Sequence, residues 1–189
     1  MKRTVILALA VFAAGCLCSF SNNVTGKDAP ADDASVILVD QTSAAVKQAV
    51  VGKKFQDLEE ADRNGDLHKL SEYVGKGKWV LVDFWASWCG PCKVEMPNVV
   101  AAYKKYHDKG FDIVGLSFDR EKEPWLRAIT EWDMPWIHLS DLKYWNTVAR
   151  TVYYVDAIPD NLLIDPEGTI VARGLRGKDL EARLSAIFK

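Results

Sequence analysis

The chain has 189 residues, 49% hydrophobic and 26% charged, which excludes a fibrous or wholly disordered protein and leaves room for one ordinary domain plus an appendage. Its formal net charge of -2 lacks the basic footprint of a nucleic-acid binder, so no nucleic-acid partner is expected. The four cysteines fall into two groups, Cys16 with Cys18 and Cys89 with Cys92, too few for a multi-bridge scaffold.

In chain order, residues 1–21 read as an export segment: basic Lys2 and Arg3, then an apolar stretch from Thr4 to Gly15. That stretch is shorter than the roughly 20 residues that span a bilayer, so a cleaved signal is preferred to an uncleaved anchor running on to Phe20. Ala13-Ala14-Gly15-Cys16 resembles a lipoprotein box, cut before a lipidated Cys16, although Ala13 stands where a large aliphatic residue is usual. An ordinary cut after Ser19-Phe20-Ser21 is the alternative. Lipid on Cys16 would tie the chain to a membrane face. Either cut leaves Cys89 and Cys92 as the remaining pair, which is then catalytic, structural or metal-bound.

Residues 22–51 read as a tether and N-terminal extension, polar and small as far as about Ala34. A short strand over 36–39 and a short helix over 43–51 are compatible with the sequence but not assigned. The domain is expected over 52–189, opening with a strand through Phe55 and Leu58 and a turn at Asn64-Gly65, a dipeptide suited to positive φ. Asp62, Asn64 and Asp66 imitate the start of a calcium loop, but Leu67 and Tyr73 occupy the positions that need Gly and Glu, which argues against calcium.

Residues 79–85, apolar except for Asp83, predict a strand buried on both faces. A helix is expected over 91–109, with Met96, Val99, Val100, Tyr103 and Tyr106 on its apolar side and a bend at Pro97. A second strand is expected over 111–118, helical material over 125–132, a third strand over 137–139 and a short helix over 146–151. After Ile158-Pro159, a strand over 161–164, a turn over 165–168 and a strand over 169–173 form a hairpin, and a helix over 179–188 closes the chain. Alternating strands and helices followed by a hairpin and a helix predict an α/β sandwich with a mixed sheet.

The candidate chemistry lies in Trp88-Cys89-Gly90-Pro91-Cys92, at a strand-to-helix junction. There both sulfurs can reach bonding distance, and the helix's free amides and dipole favour a thiolate. Cys89 is expected to be the exposed nucleophile and Cys92 the resolving thiol of an exchange cycle that passes through a mixed disulfide. Asp83 and Glu95, each six residues from Cys89, are the candidate proton carriers for Cys92. Trp85 and Trp88 are expected to pack, with Trp88 shielding Cys89. An inert bridge or half a zinc site would carry the same cysteine spacing, but His68, His107 and His138 are scattered without ligand spacing, so no metal is expected.

Val82-Asp83-Phe84-Trp85-Ala86-Ser87-Trp88-Cys89-Gly90-Pro91-Cys92-Lys93 resembles the active-site stretch of thioredoxins, and the resemblance extends over about 52–189. It implies a thioredoxin-like three-layer sandwich with an N-terminal hairpin extension and an insert before a cis-proline at Ile158-Pro159. It also implies a helix-kinking Pro97, no cofactor, and substrate contact through Trp88, Gly90, Pro91, Ile158 and Pro159. Export together with Cys92-Lys93-Val94-Glu95-Met96-Pro97 resembles, more narrowly, the TlpA/ResA-like branch. Its members reduce disulfides outside the cytoplasm, some for cytochrome c maturation, and draw electrons from a membrane thiol carrier.

Three departures stand against that pattern. Asp83 occupies a position where many members of the branch have Asn, and the second strand offers Gly115 and Ser117 where thioredoxins place a lysine near their buried Asp. Asp160 follows the cis-proline in place of Thr, which predicts a negative charge at the docking groove and discrimination against acidic substrate segments. Trp125, Trp132, Trp136, Tyr144 and Trp145 concentrate between the second strand and the cis-proline. Core packing is the first reading for them and a partner surface the second. A thiol-dependent peroxidase is the first alternative function, although the Pro-x-x-x-Thr/Ser-x-x-Cys pattern is absent; a non-catalytic partner-binding lipoprotein is the other.

Overall fold

The computed structural model describes residues 50–189. The expected export segment, tether, Cys16 and the short strand over 36–39 lie outside them. Of the segment 43–51 only Val50 and Val51 are included, and both belong to a turn.

A small hairpin opens the described chain, β1 at Glu59–Ala61 pairing antiparallel with β2 at Leu67–Lys69. The turn falls where the sequence placed it, with Gly65 at φ 99°. The Asp62 carboxylate closes it by accepting the backbone N–H groups of Asn64, Gly65 and Asp66 at 2.7–3.0 Å. The strand expected through Phe55 and Leu58 starts later instead; before it, Lys54 makes only an isolated bridge to Thr169.

The main sheet has five strands: β3 at Trp79–Trp85, β4 at Phe111–Ser117, β5 at Ile137–Leu139, β6 at Asp160–Ile164 and β7 at Ile170–Arg173. Their spatial order is β5-β4-β3-β6-β7. β3, β4 and β5 run parallel, and β6 and β7 are antiparallel additions, so the sheet is mixed as predicted. β3 lies at the centre, and Val80, Leu81, Val82, Phe84 and Trp85 are all fully buried. A strand covered on both faces needs this unbroken apolar run.

Helix α1 at Gly90–Tyr106 joins β3 to β4 and runs through Pro97 as one helix; a 3-10 turn at His107–Lys109 and Gly110, at φ 97°, close it. Helix α2 at Lys122–Glu131 joins β4 to β5. The two crossovers step the same way across the sheet, so right-handed connection puts both helices on one face. Helix α4 at Gly177–Ile187 packs beside α1, and Phe188 beyond it stacks on Tyr106 at 5.4 Å. On the opposite face Phe84 meets Tyr153 of α3, Val148–Tyr153, at 5.7 Å. The hairpin is joined to this side by the Thr147 hydroxyl, which donates to Glu60 at 2.9 Å, and by the Ser140 N–H, which donates to the Ala61 carbonyl at 2.9 Å. Helices, sheet and the α3 side form the three layers. Among the described residues no helix is long and apolar enough to cross a membrane.

Candidate active site

The carboxyl end of β3 releases the loop Ala86-Ser87-Trp88 into the start of α1. Asp119, just past the end of β4, holds that loop: its carboxylate accepts the Ser87 N–H at 3.0 Å, the Ser87 hydroxyl at 2.5 Å and the Ser117 hydroxyl at 2.7 Å. Asp119 was not singled out in the sequence. The available signal was an acid at the carboxyl end of a parallel strand, where α/β sheets form their sites.

Cys89 occupies the N-cap of α1 in extended backbone, φ -84° and ψ 100°, and its sulfur accepts the Cys92 N–H at 3.1 Å. The two cysteines form a disulfide, with a sulfur-sulfur distance of 2.03 Å. The expected exposure of Cys89 is corrected here. The residue keeps 4% of its surface and Cys92 1% in the disulfide-bonded pair. Open ground lies beside it: Gly90 and Pro91 are exposed, and a Cβ on Gly90 would meet nothing within 4 Å.

Trp88 is 44% exposed, and its indole N–H donates to the Phe118 carbonyl at 3.1 Å. Tyr144 and Trp145 stand against it with ring centroids at 4.9 and 6.1 Å. The aromatics of this half of the chain therefore divide. Trp125 and Trp136 are core residues, as first expected, whereas Tyr144 and Trp145, partly buried, wall one side of Trp88.

The Ile158-Pro159 bond is cis. Asp160, the first residue of β6, pairs with Phe84 near the end of β3, so Pro159 sits at the sheet edge from which the dithiol loop departs. Pro159 is buried and Ile158 partly so.

Asp83, on β3 between Gly115 of β4 and Asn161 of β6, is 3% exposed. Burial pushes its carboxyl up to about 7; the negative charges of Glu95 and Asp160 add to the rise, and Arg176 opposes it. Near neutral pH the group is thus divided between its two protonation states. No lysine could stand at Gly115, because a Cβ there would lie 2.4 Å from His138 Nδ1 and 2.9 Å from Trp85 Nε1. His138 is itself buried and edge-on to Trp85 at 5.4 Å, and burial drives its pKa down to about 3, so it is neutral.

Glu95 is partly buried and engaged on both oxygens. Oε1 accepts the Gly177 N–H at the start of α4 at 2.7 Å, and Oε2 accepts the Asn98 side-chain amide at 3.1 Å. Asp160 departs from expectation. Arg173 donates through Nε and Nη2 to its Oδ2 at 2.9 and 2.6 Å, with the two side chains 10% and 4% exposed for Asp160 and Arg173. The expected negative charge at the groove is therefore neutralised, and the predicted discrimination against acidic segments loses its basis. The partner is thirteen residues away on the neighbouring strand, which local sequence does not reveal. Elsewhere, His68 bonds Glu72 and His107 faces the Phe111 carbonyl. Among the described residues no three His, Cys, Asp or Glu side chains are grouped to hold a metal.

A bonded cysteine pair at a helix start, next to a strand introduced by a cis-proline, in a mixed five-stranded sheet layered with helices, defines a thiol:disulfide oxidoreductase of thioredoxin-like fold. The chain belongs to the AhpC/TSA family, whose model matches residues 51–173. Among characterised relatives, the thiol-disulfide oxidoreductase ResA of Bacillus thuringiensis subsp. konkukian is 28% identical over 139 residues, 74% of this chain and 77% of that one. ResA of Oceanobacillus iheyensis is 35% identical over 115 residues, 61% of this chain and 56% of that one. Among solved structures, the thioredoxin domain of a thiol-disulfide oxidoreductase from Bacteroides vulgatus superposes with a TM-score of 0.67 at 35% identity, covering 74% of this chain and 98% of that one. A thiol:disulfide interchange protein from Bacteroides sp. gives a TM-score of 0.64 at 35% identity, over 73% and 90%.

Proposed function

We propose that this oxidoreductase is exported and acts outside the cytoplasm as a reductant of protein disulfides. It is tethered to a membrane face if Cys16 is lipidated and recharged by a membrane thiol donor. The observation that carries the reading is the Cys89–Cys92 disulfide at the α1 start beside cis-Pro159, with a buried acid on the adjoining strand.

In the cycle, the reduced chain's Cys89 thiolate attacks one sulfur of the partner disulfide, forming a mixed disulfide and releasing the partner's other sulfur as a thiolate. Cys92 then loses its proton and attacks Cys89 Sγ. The Cys89–Cys92 bond forms, the second partner sulfur leaves, and two electrons have passed to the partner. The helix start stabilises the Cys89 thiolate in the first step. Trp88 and the Ile158-Pro159 edge form the groove walls, and exposed Gly90 and Pro91 leave room for the incoming chain.

The two acids have different tasks. Asp83 takes the Cys92 proton: it is buried on β3, held near 7, and one helical turn separates Cys92 from Glu95, the first charge that acts on it. Glu95 has both oxygens occupied as acceptors, so it ties α4 to α1 and raises the proton affinity of Asp83.

The test is capture of mixed disulfides on Cys89 by Cys92→Ala in the host, with insulin reduction measured alongside. No trapped partner in a functional strain refutes the cycle, and a host function that survives Cys89→Ser supports a non-catalytic binding role. Hydrogen peroxide consumption matching the rate of disulfide exchange favours the peroxidase alternative.

A further inference from the structure

The loop between β7 and α4 carries two arginines with different partners. Arg173 is spent on Asp160 and on the carbonyls of Tyr153 and Tyr154. Arg176, three residues on, makes no ion pair within 4 Å among the described residues; its Nη2 donates instead to the carbonyl of cis-Pro159. It is the N-cap residue of α4, in extended backbone with φ -140° and ψ 150°, yet its side chain caps nothing. The capping carboxylate comes from Glu95, which takes the Gly177 N–H at 2.7 Å.

The backbone on either side of Arg176 is pinned. Asn161 of β6 holds Leu175 through both ends of its amide, accepting the Leu175 N–H at 2.9 Å and donating to the Leu175 carbonyl at 2.7 Å. Gly174 N–H donates to the Asn161 carbonyl at 2.9 Å. Arg176 is therefore delivered by anchors on β6 and on α1, the two elements that carry the cis-proline and the dithiol.

Resting on the exchange cycle above, we propose that Arg176 is a positioning residue of this site. Its guanidinium fixes the cis-proline peptide that forms one wall of the groove, and it supplies the positive charge that balances the acids around Asp83. A cation on the cis-proline carbonyl restrains a backbone segment whose proline has no N–H to give. The charges that act on Asp83 are Glu95 from α1, Asp160 from β6, itself paired with Arg173, and Arg176 from the β7–α4 loop. Gly115 on β4 contributes none, and His138 above it is neutral.

The experiment uses the full chain as wild type, Arg176→Gln, Arg176→Lys and Asp83→Asn, each checked for a cooperative thermal transition. The Asp83 carboxyl is titrated by carbon NMR in the oxidised protein, and disulfide-peptide reduction is followed against pH. Arg176→Gln is expected to move the Asp83 midpoint upward by roughly half a unit, the size of one partly screened charge. It should slow peptide reduction about tenfold, the scale of one charge-assisted hydrogen bond. Arg176→Lys should keep the wild-type midpoint and recover only part of the rate, since an ammonium retains the charge but not the fork. A midpoint unmoved in Arg176→Gln, or moved equally in Arg176→Lys, overturns the proposal. If that happens while Asp83→Asn abolishes the pH-dependent limb, the cycle stands and only the role of Arg176 falls. If Asp83→Asn leaves the limb in place, the proton path through Asp83 fails, and the role of Arg176 falls with it.

Discussion

Replacing Asp83 by Asn should make the oxidised protein more stable and a poorer catalyst. The folded carboxyl sits at about 7 against 3.8 for the free side chain, with burial as the main cause, so the fold binds a proton that the unfolded chain releases. For an acid shifted upward, stability is full below 3.8 and falls as pH rises through 7. Integrated between those values, the loss at pH 7 is about 4 kcal/mol. Asn removes this loss but buries one more amide, offsetting roughly 1 kcal/mol, so a net gain of about 3 kcal/mol is expected at pH 7. At pH 4 the ionisation loss shrinks below about 1 kcal/mol and the gain vanishes. Urea unfolding of the two oxidised proteins at both pH values reads this directly. In the same preparations, resolution of a mixed disulfide by Cys92 should slow by about 10²–10³, the scale of a lost general base. A stability difference that is the same at pH 4 and pH 7 refutes the argument, since no titrating carboxylate would then lie behind it.

Glu60 obeys the same sign rule at a distance from the dithiol. It is 1% exposed and raised to about 8, first by burial and then by Asp141, with Oε2 lacking a partner. Allowing the same cost for a buried amide, Glu60→Gln should therefore raise stability by about 2 kcal/mol at pH 7 and not at pH 4.5, read as a melting-temperature difference that closes on acidification. Gly115→Ala would press a methyl against His138 and Trp85, so a loss of about 1–3 kcal/mol is expected. His138→Ala in the same chain should recover much of it, and a purely additive double mutant contradicts the steric account. Asp160→Asn removes the carboxylate from its buried ion pair with Arg173 and should destabilise by about 3 kcal/mol in denaturant unfolding. In the wild-type chain acidic and basic disulfide peptides should be reduced at similar rates, and a marked preference for basic peptides restores the unpaired-charge view of the groove.

The sequence by itself determined the parts whose signal is local. The run Trp79–Trp85 is a two-faced buried strand, the residues after Cys89 start a helix, and Asn64-Gly65 turns a hairpin, because apolar periodicity, proline placement and glycine's backbone freedom act over a few residues. The dithiol was legible for the same reason, as a short motif of fixed spacing, whereas the cis-proline was legible only through the resemblance to thioredoxins. Only the tertiary structure decided what surrounds them. Glu95 takes its N–H from Gly177, 82 residues away, Thr147 meets Glu60 across 87, and Asp160 is neutralised from β7 rather than left in the groove. A charge in a sequence has no sign of its partner, because the partner is set by strand order and register, and burial then decides whether that charge persists. That is why the sequence marked Asp83 and Glu95 as a pair of similar acids, while the sheet and the β7–α4 loop made one of them a buried, half-protonated group and the other a tether.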